Sequence, residues 1–230
     1  MYQQSEPETI QALFASIAKN YDLANSLFSF GLHKIWNRTL AQTLTPAYRL
    51  LDLCAGTGEI AWQFLKANPQ SQAFLLDFCA EMLAVADKKG TPYKERYTLM
   101  QADAQAIPLA NSSVDSVSIA YGIRNVKEPS LCFQEVFRVL QPGGRFGILE
   151  LTRPASRLMR QGHSLYTHLL LPLVGKAAAK NKDAYRYLAK SVATFASPEN
   201  LEMSLKTVGF QLLERRPLSG GIATLILAKK

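Results

Sequence analysis

Apolar positions divide the chain into two regimes. Ile10, Leu13, Phe14, Ile17, Ala18 and Tyr21 recur at i, i+3, i+4, i+7, i+8 and i+11, the spacing of one helix face. A second helical stretch runs from about Ile35 to Leu44 and ends near Pro46. From Arg49 the pattern alternates between short apolar runs and helical stripes. Strands are expected at 49–54, 73–77, 96–101, 114–120 and 145–151, and helices at 58–67, 79–89 and 130–140. In the last helix Phe133, Val136, Phe137 and Leu140 share a face, Ser130 can cap the start and Pro142-Gly143-Gly144 the stop. Such alternation predicts a parallel sheet covered by helices on both sides.

The order breaks after residue 151. Residues 155–195 read as helical and basic, too long for a simple crossover. Ser197 then caps a helix with Pro198 at its first position, and Gly209-Phe210 ends it. Strands at 210–216 and 222–228 flank Pro217-Leu218-Ser219-Gly220-Gly221, which predicts a hairpin at the sheet edge. The expected organisation is one domain over 1–230. It comprises an N-terminal helical lid (1–48), a Rossmann-like core (49–151), a helical substrate cap (152–196), and a helix with an edge hairpin (197–230).

Composition narrows the class. Hydrophobic residues at 48% are enough to fill the core of one large α/β domain. The longest greasy patch, Leu169 to Val174, is short and holds Pro172, and Met1 to Glu8 is polar, so a cytoplasmic protein is expected. Cys54, Cys79 and Cys132 have no metal spacing, and His33, His163 and His168 are scattered; no metal is expected. The net charge of +8 is spread out, thickening at Arg153, Arg157, Arg160 and at Lys176, Lys180, Lys182. This fits a basic solvated surface or peripheral association with anionic membrane. No aromatic-basic interleaving of a nucleic-acid surface stands out. A homodimer is compatible with all of this.

The richest chemistry lies in Leu50 to Ala61. An apolar run ends at Asp52, and Gly56-Thr57-Gly58 turns into a helix. Glycines here let a nucleoside lie against bare backbone. Asp77, at the end of the second strand, has the spacing of a ribose-binding acid. Both features also fit a nicotinamide dinucleotide. Three others favour S-adenosylmethionine. Asp52 at the loop mouth suits an ammonium and a sulfonium and repels a pyrophosphate. Asp103, after the third strand, can accept from an adenine amino group. The run Arg138 to Arg145 before the fifth strand is typical of class I methyltransferases.

On these residues the chain resembles the ubiquinone/menaquinone C-methyltransferase family over nearly its whole length. The resemblance includes Tyr21-Asp22-Leu23-Ala24-Asn25, Ser29-Phe30-Gly31-Leu32-His33 with Trp36, and the Asp52–Gly58 loop. It continues through Asp77 with Met82-Leu83, Gly122-Ile123-Arg124-Asn125-Val126, Arg138 to Arg145, Leu149-Glu150 and Tyr185-Arg186-Tyr187-Leu188. It implies a class I fold: a seven-stranded, mostly parallel sheet with a C-terminal antiparallel hairpin. The implied activity is methylation of a ring carbon of a polyprenylated quinol, and the loose match of Gly221 to Leu225 leans to demethylmenaquinol over a ubiquinone precursor. Thr57, Asp77, Asp103 and Ala104 fall on the family's cofactor positions. A family serine is Ala120 here.

Carbon methylation needs alignment and a phenolate-like nucleophile. Arg124 and Asn125 follow the fourth strand, at the edge where such sheets bind ligands, and are the expected catalytic pair. Tyr21, Asp22 and Asn25 are expected to leave the first helix and cover the cofactor. Asp22 or His33 is the alternative base, His33 with a suitable intrinsic pKa. Tyr185 and Tyr187 in the cap, with His33, are expected at the substrate. An Arg–carboxylate strut at Arg124, an oxidoreductase using a nicotinamide cofactor, and a non-catalytic quinone-binding partner remain as rival readings.

Overall fold

The computed structural model describes residues 7–152, 187, 191 and 195–230. Three helices open it: α1 (Pro7–Ile17), α2 (Tyr21–Phe28) and α3 (Leu32–Thr43). Then β1 (Arg49–Leu53), α4 (Glu59–Ala67), β2 (Gln72–Asp77), α5 (Ala80–Gly90), β3 (Tyr97–Gln101) and β4 (Val114–Ala120) alternate. They are followed by α6 (Pro129–Val139), β5 (Leu140–Leu151), α7 (Pro198–Val208), β6 (Gln211–Leu218) and β7 (Ala223–Lys229). The seven strands form one sheet in the order β3-β2-β1-β4-β5-β7-β6. The first five are parallel, and β7 runs antiparallel between β5 and β6. This is the expected class I architecture.

Burial on both faces explains the near-continuous apolar strands. Leu51 and Leu53 point to the α6–α7 side, with Val117, Phe133, Phe146 and Leu205. Leu50 points to the α3–α4 side, with Leu40, Phe64, Leu75 and Leu225. Alternation along β1 therefore directs Asp52 toward α4. Gly147 of β5 lets α3 approach the sheet: a Cβ there would lie 2.5 Å from Leu40 Cδ1 and 3.2 Å from Leu44 Cδ2.

Two expected boundaries are corrected. The stripe from Ile10 to Tyr21 is not one helix; a 3-10 turn at Ala18–Asn20 breaks it, and Tyr21 starts α2. Phe14, Ile17, Ala18 and Tyr21 still pack on one surface with Cys79 and Met82, so apolar spacing does not register the change of axis. The fifth strand starts at Leu140, not 145. Leu140 pairs with Val114 and Arg145 with Ser116, and the intervening residues form an irregularity in the ladder.

Candidate active site

The glycine loop joins β1 to α4. Gly58 caps α4 at φ 81°, in the left-handed region that favours glycine. A Cβ on it would lie 2.5 Å from the Trp62 indole. That indole donates from Nε1 to the Thr57 carbonyl at 2.9 Å and lies parallel to Tyr93 at 5.8 Å. Asp77 braces the loop from β2: Oδ2 accepts from the Gly56 N–H at 2.8 Å and Oδ1 from the Cys79 N–H at 2.9 Å.

Above the loop is a cavity that opens partly to solvent. Tyr21 and Asn25 of α2 and His33 and Asn37 of α3 form its roof. Asp52, Gly56, Thr57, Glu59, Ala120 and Tyr121 contribute to the rest of its wall. Among the described residues no lysine or arginine lines it, so this part of the wall favours a cationic occupant over a pyrophosphate. Tyr121 is held by a 3.0 Å hydrogen bond from its hydroxyl to Asn37 Oδ1. Burial raises the Tyr21 hydroxyl pKa above its ordinary value, keeping it a neutral donor.

Asp52 is 1% exposed. It accepts from Ser118 Oγ at 2.7 Å, its neighbour in the β1–β4 register, and from the Ala61 N–H at 3.3 Å. Burial nevertheless pushes its pKa up to about 7. The fixed negative charge expected from the sequence is therefore conditional, and a cation beside it completes the ionisation. The folded protein holds a proton that the unfolded chain releases. Stability from this group is thus full below the ordinary carboxylate range and declines as pH rises to about 7. A cationic ligand should expel that proton. Titration at about pH 6.5 in two buffers of different ionisation enthalpy should then show release of a large fraction of one proton, lost in Asp52→Asn. Buffer-independent heat in the wild type would contradict this.

His33 is buried, and burial lowers its pKa, so the ring is neutral at pH 7. Ser29 Oγ spends its proton on the Asn25 carbonyl at 2.7 Å and lies 2.7 Å from His33 Nδ1. In the tautomer where Nδ1 donates to that oxygen, Nε2 carries the lone pair. Asp22, the other candidate base, is occupied: it accepts from Thr57 Oγ1 at 2.6 Å and pairs with Lys89 at 2.8 Å. Lys89 also pairs with Glu59, tying the roof to the loop through α5.

Beside the cavity, a 3-10 turn at Ile123–Asn125 places Arg124 against Glu150 of β5 in an ion pair. Both side chains are almost fully buried. Burial opposes the Arg124 charge, but Glu150 more than offsets it and the guanidinium pKa is raised. Burial pushes the Glu150 carboxyl up, while Arg124 and the Leu151 N–H, 2.8 Å from Oε1, pull it back. The Tyr187 hydroxyl donates to Asn125 Oδ1 at 2.8 Å.

The structure thus gathers Tyr21, His33, Asp52, Gly56 and Thr57 on one cavity, with Gly58 and Asp77 behind the loop. Arg124, Asn125 and Tyr187 form a second group that does not line the described cavity. Asp103, Ala104 and Tyr185, expected at the site, are not among the residues that line the described cavity. Asp103 is exposed and does not face the cavity, because both oxygens turn onto Gln105, including its N–H at 2.9 Å; Ala104 beside it is buried in the core. Arg138 serves structure, bonding Glu135 and the carbonyls of Ile107 and Leu109. Tyr185 lies outside the described residues. Asn37, Glu59, Lys89 and Tyr121 were not anticipated. Asn37 alone carried a signal, standing four residues after His33 on one helix face.

The comparisons agree with this geometry. The ubiE/COQ5 methyltransferase family pattern matches residues 2–230. A demethylmenaquinone methyltransferase of Protochlamydia amoebophila is 47% identical, covering 100% of this chain and 98% of the relative. A ubiquinone/menaquinone biosynthesis C-methyltransferase of Dinoroseobacter shibae is 35% identical, covering 94% of this chain and 88% of the relative. Among solved structures, a SAM-dependent methyltransferase of Thermotoga maritima superposes with a TM-score of 0.68 at 17% identity, covering 95% of this chain and 99% of that one. By the match along its length, the chain belongs to the ubiE/COQ5 methyltransferase family.

Proposed function

We propose that this enzyme transfers a methyl group from S-adenosylmethionine to a ring carbon of demethylmenaquinol. The observation that carries the reading is the cavity itself. It joins a glycine loop to a buried carboxyl that a cation would ionise, and among the described residues no lysine or arginine lines its wall. The name of the Protochlamydia relative, matched over its length, supports the ring. A ubiquinone precursor is the second reading, supported by the broader name of the Dinoroseobacter relative.

When bound, the cofactor supplies a methyl group on a cationic sulfur. Gly56, Thr57 and Gly58 would bed it, Asp52 would face its positive end, and Asp77 has lone pairs left for ribose hydroxyls. Asp103 and Ala104 are assigned to the adenine end, and Asp103 must give up Gln105 to serve there. His33 Nε2 accepts the proton of a ring hydroxyl. Arg124, kept charged by Glu150, stabilises the phenolate so formed. The carbon that takes the methyl then sheds its own hydrogen as a proton while the hydroxyl re-forms. Asn125 and Tyr187 orient the ring, with Tyr185 assigned to the same cap. The roof of α2 and α3 excludes water. The setting is cytoplasmic, at the inner face of a membrane, where a lipid-tailed quinol resides; no helix among the described residues is long and apolar enough to cross one.

The test is a head-to-head assay of demethylmenaquinol and the demethylated benzoquinol with labelled donor. The expected result is a higher kcat/KM for the naphthoquinol, with a rate limb set by a group below the ordinary histidine pKa. A preference for the benzoquinol would favour the second reading, and turnover of neither would refute both.

A further inference from the structure

The roof has an outer side as well as an inner one. Tyr21 and Asn25 on α2 line the cavity, as do His33 and Asn37 on α3. Two positions along a helix is a turn of about 200°. Leu23 and Leu27 therefore point opposite to Tyr21 and Asn25, and Ile35 opposite to His33. All three are exposed, Leu23 by 58% and Ile35 by 63%. The connecting turn adds Phe30, 73% exposed at φ 49°, a conformation uncommon for a bulky residue. The charged residues of this segment complete the picture. Lys19, Lys34 and Arg38 are exposed. Asp22, the sole carboxylate between residues 18 and 43, is half-exposed but paired with Thr57 and Lys89. An apolar outer face flanked by cations complements an interface of phosphate headgroups and acyl chains.

We propose that the outer face of α2 and α3 is a membrane-docking surface, seating the site roof on an anionic bilayer. It rests on the reading that the substrate is a lipid-tailed quinol. The same two helices would then contact the lipid phase outside and the reaction cavity inside. Such placement shortens the path of a ring leaving the bilayer.

The experiment uses the full chain with vesicles of phosphatidylglycerol and phosphatidylethanolamine, against neutral phosphatidylcholine vesicles. Flotation at low salt should recover the wild type with the anionic vesicles. In Leu23→Gln/Leu27→Gln/Ile35→Gln the bound fraction should fall roughly tenfold. Turnover of a short-tailed quinol in solution should stay within about twofold, because none of the three faces the cavity. As a variant that keeps the apolar face, Ile35→Trp should show a blue shift with anionic vesicles and quenching by brominated lipid. Undiminished flotation of the triple variant, or an Ile35→Trp spectrum blind to vesicles, would overturn the proposal. So would a spectral shift that follows protein concentration alone, which would mark a contact between copies. Face-dependent flotation without turnover of any quinol would leave docking intact and refute the reaction assigned above. Turnover with face-independent flotation would do the reverse.

Discussion

Glu150→Ala should unfold more easily than Arg124→Met, although the two residues form one ion pair. Removing one partner of a buried pair costs about 3–5 kcal/mol because the other charge is left uncompensated. The cost falls unequally here. A guanidinium cannot shed its proton within the protein range, so Arg124 without Glu150 stays charged inside the core. Glu150 without Arg124 has an exit: burial already raises its pKa, and it takes a proton. Denaturant titration at neutral pH should therefore place Glu150→Ala well below Arg124→Met, with Glu150→Gln between. Turnover should fall in both, by roughly 10²–10³-fold when a positioned charge that stabilises an oxyanion is lost. The distinguishing readout is donor binding, which Arg124→Met should keep because Arg124 does not line the described cavity. Equal stability of the two variants would mean that the pair is not held as an ion pair.

Gly58→Ala should be nearly as damaging, through a different route. At φ 81° a side chain is strained, and the new Cβ would sit 2.5 Å from the Trp62 ring. That ring cannot step aside. Its N–H is committed to Thr57, Tyr93 stacks on one side and Tyr97 meets its edge at 5.1 Å. Strain and overpacking together should cost about 2–5 kcal/mol, or on the order of 10 °C in thermal midpoint. The shift is forced into neighbouring Thr57, which lines the cavity, so donor affinity should fall at least roughly tenfold. Calorimetric titration of folded Gly58→Ala checks this; wild-type affinity would show that the loop does not bed the donor.

Much of this architecture was legible because it is local. Leu50, Leu51 and Leu53 announce a strand buried on both faces, and Gly56-Thr57-Gly58 announces the turn that must follow. Asp77 was found by spacing alone, yet its present task of holding the Gly56 N–H was not foreseen. What escaped the sequence depends on register across strands. A carboxylate strut at Arg124 was among the readings, but not its partner: Glu150, 26 residues on, reaches it because Ala120 pairs with Leu149. The break at Ala18–Asn20 left no trace, since residues on both sides bury against the same Cys79–Met82 surface. Asp52 was read as a fixed negative group at the loop mouth, facing a cationic cofactor. Alternation along β1 buries it, and burial makes its charge conditional on a ligand.

The most direct measurement follows the methyl group itself. Donor labelled on the methyl carbon is incubated with demethylmenaquinol, and the product is resolved by mass and by carbon NMR. The label should appear on a quinol ring carbon with wild-type protein and be nearly absent with Arg124→Met that still binds donor. Label on a ring oxygen, or donor bound by the wild type with no label on carbon, would contradict the account.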